Sequence, residues 1–192
     1  MSENKIKYGL KNVHYAVATI DAATGEATYA TPVPFPGAVS LTLSPSGENT
    51  PFYADNITYY ITNGSTGYEG ELEMARVIDA FKTDILGMIA DQKQVLYETL
   101  DPQIVHFALM FQFEGDVKAT RHVLYNCTCT RPSNDGSTKG ESVDPATETV
   151  SFTATSVYNA DVDADIVKAE ANANSDETTY NGFFSAVYQP SA

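Results

Sequence analysis

The chain has 192 residues and a formal charge of -14, with 25 acidic against 11 basic side chains. That length suits one globular domain able to bury a core without staples, and that charge excludes unaided binding to polyanions such as nucleic acid or an anionic membrane surface. The opening MSENKIKYGL lacks the unbroken apolar stretch of a signal peptide, and no run of about 18 apolar residues occurs, so a soluble chain made in the cytoplasm is expected.

Abundant Tyr and Thr, Gly and Pro punctuation and recurrent period-2 alternation predict an antiparallel β protein. A first hairpin joins Val13–Ile20 to Ala27–Val33 through DAATGEA, where Gly25 can take a positive φ. Pro32, Pro34 and Pro36 then alternate; proline gives no N–H to a ladder, so TPVPFPG reads as an edge or crossover segment. Ala38–Leu43 resumes as a strand. The turn-rich SPSGENTPFYADN makes residues 44–56 a candidate projecting loop, followed by a strand over Ile57–Thr62 and the loop NGSTG.

In the next strand Tyr68, Leu72 and Met74 share one face, and Glu69, Glu71 and Glu73 the other, which must meet solvent or a polar cavity. In ARVIDAFKTDILG the apolar residues Val77, Ile78, Phe81, Ile85 and Leu86 recur at helical spacing and Gly87 offers a C-cap, predicting the one amphipathic helix. Val95–Leu100 reads as a short strand. HFALMFQFEGDVKATRHVLYNCTCT reads as a hairpin turning at Glu114–Lys118, with Phe107, Leu109, Phe111 and Phe113 facing Val123, Tyr125, Cys127 and Cys129 at the centre of the core. Residues 131–147 form a polar loop, Thr149–Tyr158 a last strand with Val150, Phe152 and Ala154 inward. Residues 160–192 then form an acidic segment whose end docks through Phe183, Phe184 and Val187.

Few chemical motifs stand out. Cys127 and Cys129, at i and i+2 of a strand, lie roughly 6.5 to 7 Å apart, beyond the usual disulfide range, and read as reduced core residues. His14, His106 and His122 are dispersed over three strands and read as hydrogen-bonded sheet residues. No dinucleotide, P-loop, zinc-protease or esterase motif is present. The best catalytic candidate is Glu69, Glu71 and Glu73, since carboxylates on one strand face can split their pKa values, as in β-sandwich glycosidases. A chain without tryptophan lacks the best sugar platform, however, and a solvated acidic strand is the plainer reading.

The order of features, KNVHYAVAT, TPVPFPGAVSLTLSPSG, FYADNITYYITNGSTGYEGELEMA, a helix closing with ILGM, HFALMFQFEG and YNCTCTRPS, resembles the major tail proteins, or tail tube proteins, of long-tailed siphophages. The resemblance runs from Gly9 to about Val187, and its most specific pieces are PGAVSL, YADN and the helix-ending Leu-Gly. It implies a single domain over 1–192, a β-sandwich with one flanking helix and an extended stacking loop. Six copies would close into a ring through edge strands, and rings would stack into a tube in the virion tail, assembled in the host bacterial cytoplasm. Expected partners are other copies of the chain, a tape measure protein in the bore, distal tail and tail terminator proteins at the ends, and double-stranded DNA as passing cargo; no cofactor is expected. Ser46, Gly47, Glu48, Asn49, Thr50, Pro51, Asp55 and Asn56 are the expected ring-stacking residues, and Glu69, Glu71 and Glu73 the expected acidic wall of the bore, where phosphates find nowhere to stick. The alternative is a β-sandwich glycoside hydrolase or carbohydrate-binding domain built on the same three glutamates.

Overall fold

A computed structural model describes residues 4–62, 64, 66–101, 103–133, 136, 138 and 145–191. In chain order the elements are β1 (Lys7–Ile20), β2 (Ala27–Tyr29), β3 (Val33–Pro34), β4 (Ala38–Ser46), β5 (Thr50–Ala54), β6 (Ile57–Thr62), β7 (Gly67–Met74), α1 (Asp79–Asp84), β8 (Ile89–Ala90), β9 (Leu96–Tyr97), β10 (His106–Gly115), β11 (Thr120–Cys129), β12 (Glu148–Thr155), β13 (Val157–Asn159), β14 (Ala164–Ile166), β15 (Lys168–Ala171) and α2 (Glu177–Gly182). The expected antiparallel β-sandwich with a flanking helix is what forms.

One sheet runs in the order β2-β1-β10-β11-β12-β7-β4, with β3 also on β1 and β15 also on β11. It folds over so that both halves feed one core: Tyr15 from β1, Leu72 and Met74 from β7, Phe107 and Leu109 from β10 and Phe152 from β12 bury together. α1 closes this layer. Phe81 stacks on Phe35 at 4.6 Å and meets Tyr15 and Phe107 edge-on at 5.1 and 5.7 Å, and the Tyr15 hydroxyl donates to Asp84 at 2.9 Å.

The first turn follows its residues closely. Asp21 O accepts from Gly25 N at 2.8 Å, its carboxylate accepts from Ala23 N at 2.7 Å, and Gly25 takes φ +77°. The proline segment is an edge: β3 pairs with β1 through His14 opposite Pro34 and Tyr15 opposite Val33, and Phe35 turns inward.

Several expectations need correction. Residues 76–87 hold a helix of only six residues, because β-branched Ile78 stays extended and no side chain caps it, while the flanking Val77, Ile85 and Leu86 bury as non-helical residues and mimic a longer period. Gly87 does end the segment at φ +70°. A second helix, α2, forms in ETTYNG, capped by Asp176 accepting from Thr179 N at 2.9 Å.

The third correction concerns the central hairpin. Phe107 pairs with Cys127 but Leu109 with Leu124, so a bulge intervenes and reverses the face of the β11 residues before it, Val123 and Tyr125, while Cys127 and Cys129 keep the expected one. Leu124, Cys127 and Cys129 join Phe107, Leu109 and Phe111, whereas Val123 and Tyr125 face the opposite side with Ala108 and Met110. Both faces of β10 are therefore buried. The second face is covered by the end of the chain, where Phe183 and Val187 dock as expected, Tyr180 joins them, and Phe184 stacks on His14 at 4.9 Å. The fourth correction is that this region is not merely a tail, since β15 adds to the sheet beside β11. Of the polar loop 131–147, residues 134, 135, 137 and 139–144 lie outside the described residues.

Cys127 and Cys129 are free thiols, as expected. Burial pushes the Cys127 thiol up and that of Cys129 up to about 12, so both stay protonated and inert.

His122 departs from the hydrogen-bonded role. Buried on β11, it stacks on Phe111 at 5.1 Å, its Nδ1 has no hydrogen-bond partner, and Glu170 stands 3.6 Å away, too far to hold a proton on it. Burial, then the charges of Lys168 and Lys7, lowers its pKa to about 4. The unfolded chain thus takes up a proton near pH 6.5 that the native state refuses until about pH 4. The stability from neutral His122 is complete above pH 6.5 and falls by roughly 3 kcal/mol as pH drops to 4. Urea titrations of wild type and His122→Phe between pH 7 and 4 check this: the wild type should lose more stability over that interval, and parallel losses would refute it.

Candidate functional site

Strand β7 lies between β12 and β4, and its alternation sends Leu72 and Met74 into the core and the three glutamates outward. Their neighbours are hydroxyls on both sides: Glu69 pairs with Ser44 and Thr153, Glu71 with Thr42 and Ser151, Glu73 with Ser40 and Thr149. The result is a carboxylate file flanked by two hydroxyl files. Glu73 accepts from Thr147 Oγ1 at 2.7 Å and Ser40 Oγ at 2.8 Å, which hold its carboxyl below the usual range.

A shallow groove of about 620 Å³ crosses this face beside Glu69 and Glu71, walled by Thr and Ser of β4, β11 and β12 and by Ile104. Among the described residues no lysine or arginine lines it, and the one aromatic that does, Phe152, is buried. Such a surface offers fixed negative charge and hydroxyls, but neither a cationic partner for an anion nor an aromatic face for a sugar.

The histidines do not join it. His14 Nδ1 bonds Asn12 O at 2.9 Å and His106 Nδ1 bonds Asn126 Oδ1 at 2.7 Å. Among the described residues no three His, Cys, Asp or Glu side chains converge as a metal set.

The projecting element is not the loop expected at 44–56 but a longer hairpin arm. Ser46 ends β4; Gly47, Glu48 and Asn49 lead out; Thr50 and Pro51 already belong to β5, which pairs with β6. Asp55 and Asn56, at φ +52° and +62°, make the tip, and two consecutive positive φ values fit a tight primed hairpin turn. The arm stands out from the sheet: Phe52, Tyr53, Ile57, Tyr59, Tyr60 and Ile61 are each 55–69% exposed among the described residues. What sequence reading missed was this apolar pairing, although Phe52 opposite Tyr60 and Pro51 opposite Ile61 flank an Asp-Asn turn, a legible hairpin signal.

Gly67 sits at the root of the arm with φ +141°, and a Cβ there would lie 2.0 Å from Ala154 O of β12. Gly67→Ala should cost about 2–4 kcal/mol through backbone strain and the clash, lowering the melting temperature by roughly 4 to 16 °C; a calorimetric change under 1 °C would contradict it.

The sheet is protected unequally at its edges. Beside β2, Glu26 bridges Tyr158 of β13 and Tyr158 N donates to Gly25 O at 3.1 Å. At the other edge, β4 pairs only with β7 among the described residues, leaving a nine-residue strand open on one side.

The chain matches no protein-family model and no curated protein sequence. Among solved structures it is similar to a chain in the cryo-EM structure of the anti-feeding prophage (AFP) baseplate, 6-fold symmetrised. That likeness has a TM-score of 0.43 and 9% identity, and it covers 91% of this chain and 99% of that chain.

Proposed function

We propose that the chain is a structural virion protein, not an enzyme, which self-assembles into stacked hexameric rings forming the tail tube of a long-tailed phage, a negatively lined conduit for DNA. The observation that carries this reading is the β5–β6 arm: a two-stranded hairpin with apolar side chains on both faces is at best marginally stable alone in water and amounts to an exposed patch awaiting a partner. The open edge of β4 supports it, since an unpaired strand edge invites another chain and closure into a ring removes the hazard. The carboxylate file supports the conduit, because it repels phosphate and offers it no cation. Tape measure, distal tail and terminator proteins would meet the bore and the two ends.

The glycosidase or carbohydrate-binding reading keeps one favourable feature, the groove beside Glu69 and Glu71. Its hydroxyl walls without an exposed aromatic disfavour it.

Negative-stain microscopy of the purified protein over a concentration series tests the proposal. Six-fold rings or tubes are expected above a threshold concentration. A monomer at every concentration, with or without tail-initiating partners, overturns it.

A further inference from the structure

The last part of the chain is a strap laid over the second face of the sheet. It begins with β15 and runs on through α2, and its buried side chains Ala171, Tyr180, Phe183 and Val187 cluster with Ala108, Met110, Val123 and Tyr125, not with the core around Phe81 and Phe107.

One short stretch of β11 holds this strap from both sides. On the strap side, Arg121 donates Nη1 to Tyr180 O and lies 3.9 Å over the Tyr180 ring, and the Tyr180 hydroxyl donates to Ala119 O at 2.8 Å. On the other side, the β11–β15 ladder sets His122 opposite Glu170. KAEA is a poor strand former, so β15 depends on that ladder, from Arg121 opposite Ala171 to Leu124 opposite Lys168, and on Tyr125 N donating to Val167 O at 3.1 Å.

His122 is the weak point of the grip. It is 7% exposed, its ring lies against Phe111 and Phe113 of β10 with centroids 5.1 and 5.6 Å away, and its Nδ1 meets no hydrogen-bond partner. The charged groups around it are Glu170 at 3.6 Å and Lys168 on β15, and Lys7 on β1, whose Nζ lies 4.8 Å over the Phe113 ring. The Glu170 side chain is 44% exposed, so water screens its charge, and the two ammonium groups outweigh it. A proton on the ring is accommodated once β15 parts from β11 and water reaches Nδ1.

Going beyond the tube reading, we propose that the His122–Glu170 seam is an acid-operated latch on the strap: it holds β15 on β11 while the imidazole is neutral and releases it when the ring is protonated, leaving the core around Phe81 packed. Release would uncover Met110, Val123 and Tyr125, an apolar face that the closed latch keeps from water. A ring that titrates near pH 6.5 when free and at about 4 when held favours the closed latch fully above pH 6.5, and loses about 100-fold in the closing equilibrium by pH 4.

Amide hydrogen exchange between pH 7 and 4, corrected for the intrinsic rate and run below the concentration at which the chain assembles, reads the latch directly. Protection of the Tyr125 amide should fall by about 100-fold, while the β12–β7 ladder keeps more of its own. His122→Phe, which retains an aromatic ring and takes no proton, should remove most of that fall. Equal losses at Tyr125 and in the β12–β7 ladder, or a fall that persists undiminished in His122→Phe, would overturn the latch. So would a ring-proton NMR titration of wild-type His122 with its midpoint near 6.5, a measurement that needs no variant. None of these results depends on whether rings or tubes form.

Discussion

Phe81→Ala is expected to be the most damaging single substitution to the fold, costing about 3–5 kcal/mol. Phe81 is 1% exposed and is the sole buried side chain of α1, a helix too short and too poorly capped to hold by itself. Its ring stacks on Phe35 from the proline edge and meets Tyr15 of β1 and Phe107 of β10 edge-on, so its loss opens a cavity where three elements join. Tyr15, whose hydroxyl is turned to Asp84 beneath the same helix, would lose the burial that, with Asp84, raises its phenol above the ordinary tyrosine range. A melting temperature lower by roughly 6 to 20 °C should result. A change below 2 °C would mean that α1 is not what closes this layer. Phe81→Leu, which refills most of the space, should recover a large part of the loss.

The second large effect concerns transport, with folding left intact. Replacing Glu69, Glu71 and Glu73 together by lysine inverts the charge of the file, and all three side chains project from the outer face of β7, away from the core. Rings should still form. In the proposed conduit, six copies would turn a repelling wall into rings of cations able to neutralise DNA phosphates and release their counterions, and each such contact steepens the salt dependence of binding. Genome ejection from particles carrying the variant should fall at least tenfold at low ionic strength and recover as salt screens the contacts. Ejection equal to wild type at low salt would place these glutamates away from the bore. Loss of the hydrogen bonds to Glu73 from Ser40 and Thr147 is a small, exposed term beside this.

The sequence and the tertiary structure divided the molecule along physical lines. Period-2 alternation is local, so the sequence by itself determined the strand identity of β1, β4, β7, β10, β11 and β12, the outward file of Glu69, Glu71 and Glu73, the Gly25 turn and the proline edge. Apolar residues at the chain's end announced the docking of Phe183 and Val187 without saying where.

What only the tertiary structure decided depends on partners distant in the chain. The bulge between the Phe107 and Leu109 pairings moves Val123 and Tyr125 to the far face, because alternation gives two phases and only the facing strand selects between them. β15 could not be read from KAEA, whose strand state comes from the free stretch of β11 between Arg121 and Leu124. The arm is the reverse case: its turn and pairing are local and legible, but its exposure is not, since whether an apolar hairpin is core or surface depends on what the rest of the chain leaves uncovered.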